Sequence, residues 1–239
     1  MTIINNSQGF LFVHVPKAAG SSVVNALCEY TRYCDLEIGA TAFGEAIQGP
    51  YVKRFGLAKH STAQQLKTLV GDEAWSRYFT FSFVRNPYHR MFSAFRFLRS
   101  WEAPNNHAFN TAIRQFSSFN DFVLSDMLGA IAGPDNIFKP QMHWLHSPAE
   151  PGGLLVKYVG KVETIQQDLE HVFATIGVKK TFENPEAVPK ANVTTGSKGD
   201  ATLAEAAILK LQKLYKIDFD ALGYSIEPEA FWSRRTERC

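Results

Sequence analysis

The chain is poor in cysteine, nearly balanced in charge and without a long apolar run. Cys28, Cys34 and Cys239 are odd in number and form no Cys-x-x-Cys pair, which excludes a disulfide scaffold and a thiolate zinc site and suits reduced thiols. Lys and Arg total 25 against 23 Asp and Glu, a net charge of +2, so nothing draws the protein to nucleic acid or anionic lipid as a whole. Any anion site must be local. Phe10 to Val13 falls far below the roughly 20 residues of a membrane helix, and no Lys or Arg precedes it, so neither a membrane span nor a secretory signal is expected and a cytoplasmic location is. No repeat of solenoid length is visible.

What is present is an ordinary globular composition, 45% hydrophobic over 239 residues, enough for one domain across 1–239 with an enzyme-sized core. Phe10 to Val15 is a β-prone run that passes through Pro16, Lys17 and Gly20 into Val23, Leu27 and Tyr30 at helical spacing. Phe79 to Val84, with Phe at alternate positions, passes through Arg85 into Asn86-Pro87, an N-cap and first helical residue that predict a helix to about Arg99. Leu154 to Val159 reads as a third strand. Thr164 and Gln167 read as a capping box for a helix that Gly177 stops. Shorter helical stretches are read at 61–69, 72–78, 119–128 and 203–214. Strands alternating with helices predict an α/β fold with a mainly parallel central sheet flanked by helices.

In such sheets anions sit beyond the carboxyl ends of strands, where loops enter helices. Two turns belong there. Pro16 to Ser22 combines small residues, two hydroxyls and the mobile charge of Lys17, while Arg85 to Ser93 places Asn86, Arg90 and Ser93 on one helix face beside Arg85. A triphosphatase would place its lysine after the last glycine and end a strand in Asp for magnesium; here Lys17 precedes Gly20 and no strand candidate ends so.

Together these segments resemble the paired signatures of sulfotransferases that use 3′-phosphoadenosine 5′-phosphosulfate, in the carbohydrate sulfotransferase branch with its short bacterial-type members. Lys17 to Ser22, entered from Phe12 to Pro16, is similar to the 5′-phosphosulfate loop; Phe83 to Ser93 is similar to the 3′-phosphate motif, with Arg85 and Ser93 eight residues apart. Gln141 to Leu145, Val159 to Thr164, Pro189 to Thr194 and Asp218 to Tyr224 extend the likeness. Ala18 and Ala19 depart from it, standing where the family carries Thr or Ser and Gly.

The resemblance implies a P-loop-like three-layer domain and sulfuryl transfer to an acceptor hydroxyl, first of a saccharide, with a non-carbohydrate alcohol as the alternative. It assigns Lys17, Ala18, Ala19, Gly20, Ser21, Ser22, Arg85, Ser93 and Lys198 to the donor. Lys17 assists the leaving group; His60 is the expected base, a histidine with an ordinary pKa of about 6.5 suiting proton removal near neutrality. The loop 192–198 is expected to close on the donor. His14 reads as a hydrogen-bonded core residue, and His143 and His146 lack a third ligand, so no metal is expected. A nucleotide-binding module without turnover and a small-molecule kinase are the rival classes.

Overall fold

The computed structural model describes residues 1–101, 108–130, 137–147, 150–178 and 203–228. In chain order the elements are β1 (Thr2–Asn5), β2 (Phe10–Val13), α1 (Gly20–Leu27), β3 (Leu36–Ile38), α2 (Ala42–Phe55), α3 (Ala63–Arg77), β4 (Phe79–Val84), α4 (Pro87–Ser100), α5 (Ala108–Arg114), α6 (Phe119–Leu124), α7 (Met127–Ala130), α8 (Met142–Leu145), β5 (His146–Ser147), β6 (Glu150–Leu154), β7 (Tyr158–Lys161), α9 (Ile165–Thr175), α10 (Glu205–Leu214) and α11 (Lys216–Leu222). They fall into two compact units, residues 1–85 with 141–192, and residues 86–140 with 193–239.

The first unit holds a five-stranded sheet in the order β3-β1-β2-β4-β7. β2, β4 and β7 pair in parallel, and β1 runs against both β2 and β3, so one strand of the five opposes the rest. The mainly parallel sheet is as expected. The alternating phenylalanines put Phe10, Phe12, Phe81 and Phe83 on one face, fully buried with Val23, Val24 and Leu27 of α1 and Leu169, Val172 and Phe173 of α9. Each such ring removed from water stabilises the fold by roughly 1.5–3 kcal/mol. Gly160 on β7 is needed for this packing, because a Cβ there would lie 2.7 Å from the Phe83 ring. On the opposite face Ser82 donates to the Val13 carbonyl at 2.7 Å, tying β4 to β2 where both strands end.

Several boundaries differ from the sequence reading. The third parallel strand is 158–161 rather than 154–159, since Leu154 closes a small antiparallel pair with His146. Thr164 makes no capping bond; its hydroxyl donates at 2.6 Å to Asp168, which also accepts from the Lys161 amide. The two stretches 61–69 and 72–78 do appear as two helical segments of α3 broken at Gly71, whose φ of 82° and ψ of 160° are not helical, and the first is started by a capping box of Thr62 and Gln65.

The second unit centres on α4, which begins as predicted with Asn86 accepting from the Tyr88 amide and Pro87 in the first turn. Its inner face, Tyr88, Met91, Phe92, Phe95 and Leu98, packs with Phe119, Phe122, Phe138, Leu211, Tyr215 and Phe219. The aromatics of α4 are thus core, not a stacking platform. Among the described residues no helix is long and apolar enough to cross a membrane.

Candidate functional site

The loop from β2 into α1, expected to cradle an anion, carries two residues of unusual backbone conformation. Lys17 (φ 66°) and Ala19 (φ 56°) both have positive φ, a conformation that costs a residue with a Cβ roughly 1–2 kcal/mol. Ala19 caps α1 without a side-chain bond, and the first helical bond runs from the Val23 amide to the Ala19 carbonyl. The amides of Gly20, Ser21 and Ser22 therefore lie in the first turn of α1, ahead of its helical ladder, at the positive end of the helix. Ala18 differs: its amide donates back to the Val15 carbonyl at 3.3 Å, bracing the turn. Ser22 is buried and Ser21 half-buried.

Lys17 is half-buried, and burial first, then the charge of Arg85, pushes its pKa from 10.5 down to about 8. That influence follows from the parallel pairing of β2 with β4, which sets Val13 beside Ser82 and brings the two following loops to the same edge. Two cations, one from each expected turn, are held close together.

Beneath the cradle lies His14, 4% exposed, its imidazole so near Gly20 that a Cβ there would lie 1.9 Å from Nε2. The Met1 ammonium donates to His14 Nδ1 at 2.8 Å, which leaves the imidazole proton on Nε2. The His60 ring lies against that of His14, centroids 4.6 Å apart and planes tilted by 32°, and its Nδ1 is buried without a hydrogen-bond partner among the described residues. Burial above all, then the positive N-terminus and Lys59, holds the His60 pKa well below 6.5, against a raising contribution from the His14 backbone. His60 is therefore neutral through the physiological range and titrates below the value assumed from sequence. His14 is depressed for the same leading reason.

Arg85 is positioned by a residue to which sequence reasoning gave no role. Gln141, fully buried, accepts from the Arg85 amide at 2.9 Å and donates to the Arg85 carbonyl at 2.8 Å, a two-bond clasp on the backbone of one residue. Its signal was the resemblance around 141–145, which carried no mechanism. Ser93 is half-buried on α4 in the second unit. Arg90, expected on a polar face with Ser93, is instead fully buried; it donates to the carbonyls of Ile137, at 2.9 Å, and Lys139, and lies 5.9 Å from the Tyr215 ring. It is a strut of that core. Lys198 and the loop 192–198 lie outside the described residues, as does Cys239, while Cys28 and Cys34 are free thiols. His146 Nδ1 is 2.7 Å from the Met142 carbonyl and His143 packs edge-on to Trp144. Among the described residues no group of three His, Cys, Asp or Glu is placed to hold a metal ion.

Comparison with known proteins gives a consistent picture. The model of the Sulfotransferase family matches residues 1–225. Carbohydrate sulfotransferase 11 of Rattus norvegicus and of Mus musculus are each 19% identical over 242 aligned residues, covering 94% of this chain and 67% of theirs. No solved structure matches the chain.

Proposed function

Because the chain belongs to the sulfotransferase family, with its P-loop-like fold, we propose that it transfers the sulfuryl group of 3′-phosphoadenosine 5′-phosphosulfate to an acceptor hydroxyl, a saccharide hydroxyl first. The observation that carries this reading is the pair Lys17 and Arg85, two cations at the ends of adjacent parallel strands, repelling each other beside the amides that open α1. Such an arrangement costs stability until an anion occupies it. The names of the carbohydrate sulfotransferase relatives favour a sugar acceptor.

Once bound, the donor supplies an activated sulfur–oxygen bond; the chain's own groups do the rest. Lys17, with its pKa near 8, is still mostly charged at neutral pH and donates more strongly than an ordinary lysine to the oxygen on which charge develops. The Gly20, Ser21 and Ser22 amides hold the 5′-phosphate side. His60 is the proton acceptor, since its neighbours keep it in the neutral form that base catalysis requires. As the acceptor oxygen joins sulfur, its proton passes to His60 and the bond to the 5′-phosphate oxygen breaks, leaving adenosine 3′,5′-bisphosphate. Arg85 and Ser93 as ligands of the 3′-phosphate, and Lys198 as part of a closing loop, rest on the sequence motif alone.

We further propose that residues 1–239 act as one catalytic domain, since each unit is built from two separate stretches of chain, that no metal takes part, and that the free Cys28 and Cys34 fit a cytoplasmic location. Calorimetry is the test. Adenosine 3′,5′-bisphosphate should bind saturably with the same affinity with and without magnesium, and labelled sulfate should pass from donor to a sugar in an acceptor panel. A preference for ATP with magnesium would point to a kinase; tight bisphosphate binding without transfer to any acceptor would leave a silent nucleotide-binding module.

A further inference from the structure

At the outer edge of the sheet, away from the β2 and β4 strand ends, β3, α2 and the 3-10 turn that follows α1 line a half-open cavity of about 500 Å³. Its lining includes Cys28, Thr31, Glu37 and Tyr51, with Tyr33 and Phe43 at its solvent-exposed rim. Glu37 lies on β3 opposite Ile3, in the middle of the sheet's edge ladder, and is only 7% exposed.

Two polar atoms in this lining are orphaned. Glu37 Oε1 and Thr31 Oγ1 are both shut off from water and have no hydrogen-bond partner among the described residues. A carboxylate taken out of water is normally paired with a cation or saturated with donors. The neighbouring Asp35 meets that rule, accepting from the Ser7 amide at 2.9 Å, the Ser7 hydroxyl at 2.8 Å and the Arg32 amide at 2.8 Å. Glu37 does not. The Cys28 thiol registers the resulting field, its pKa raised by burial first and by Glu37 next.

The missing partner must donate hydrogen bonds, since both orphans are oxygens that accept. Asp35 and Glu37 outweigh Arg32 in the lining, so positive charge is favoured there. Aromatic faces on the same walls attract cations through their quadrupoles. The terminal torsion of a glutamate is broad, so Oε1 can turn toward an entering donor without a change of rotamer upstream.

We propose that this cavity is a binding site for a small organic ammonium carrying a ring, its nitrogen donating to Glu37 and Thr31 and its ring lying among Tyr33, Phe43 and Tyr51. The site is separate from the sulfuryl-transfer reading. Gln48 of α2 accepts from the Lys59 amide at 3.2 Å, and Glu45 pairs with the Lys59 ammonium at 3.6 Å, so the helix roofing the cavity also holds the segment next to His60.

The test uses the full chain and two probes of one shape, 2-phenylethylammonium and 2-phenylethanol, titrated by calorimetry with no sulfuryl donor present. The ammonium should bind saturably and at least tenfold more tightly than the alcohol. It should protect Cys28 from iodoacetamide, read by mass spectrometry, while leaving the exposed Cys34 reactive. Glu37→Gln should weaken binding by tenfold or more, and Thr31→Val, which keeps shape and loses the hydroxyl, by about threefold, so a folding defect in one variant leaves the other decisive. Equal affinity for the two probes, no saturable binding of the ammonium, binding without protection of Cys28, or full affinity in a folded Glu37→Gln protein would overturn the proposal. None of these outcomes touches the binding of adenosine 3′,5′-bisphosphate, which reports on the cradle alone.

Discussion

Lys17 and Arg90 are both cations withdrawn from water, and their surroundings treat them in opposite ways. Arg90 is met by two carbonyls and by the opposing charge of the buried Asp218, which works against the depression that burial imposes on its pKa. Lys17 is met by Arg85, a charge of its own sign, and the two effects on its pKa act together. The first arrangement sets donors against acceptors and holds a core; the second sets like charge against like charge. Sequence alone could not tell them apart, because both residues lie in segments that resemble donor-binding motifs.

Substitution should separate the two cations cleanly. Arg90→Ala leaves Asp218 buried without its partner and should lower stability by about 3–5 kcal/mol, measured by urea unfolding. Lys17→Met should leave unfolding unchanged or slightly more costly while cutting turnover on the order of a hundredfold or more. Loss of stability in Lys17→Met with normal turnover would invert the comparison.

A glycine and an acid–base titration sharpen it further. Gly20→Ala must displace the His14 imidazole and should cost about 1–3 kcal/mol, with weaker bisphosphate binding because the same shift moves the cradle amides. The pH dependence of Lys17 has a definite sign. Its folded pKa of about 8 lies below the ordinary 10.5, so between those values the unfolded chain binds more protons and stability rises with pH, while below 8 the penalty is constant. Anion affinity should run the other way, falling as pH climbs through 8, and Lys17→Met should flatten both curves. The smallest effect is expected at Ala19, left-handed where the family carries glycine: Ala19→Gly should relieve that strain and add up to about 1 kcal/mol, seen as a higher Tm.

The legible parts of the molecule are those where one physical signal dominates. Alternating phenylalanines announced β4, and Asn86-Pro87 announced the start of α4. By contrast α2 was missed altogether, since only Gly44 of its fourteen residues is buried and Pro50 interrupts it, leaving no stripe to read. β1 and β3 are three or four residues long and bury Thr2, Asn5 and Glu37, so neither hydropathy nor length marks them. At the site, Lys17 and Arg85 were readable as two turns, but their mutual influence needed the register of β2 on β4. The Gln141 clasp joins residues 56 apart in sequence through amide chemistry that any glutamine offers. Gly20 was read as a loop residue, whereas its role is to make room for an imidazole.

The clasp has one more implication. Arg85 is the last residue of the first stretch of its unit and Gln141 the first of the next, so 86–140 leaves and re-enters at a single hydrogen-bonded stem. A stem of that kind ties the backbone of Arg85 to a residue far along the chain, so the two ends of the intervening segment are held in register by hydrogen bonds to the main chain that do not depend on what lies between them.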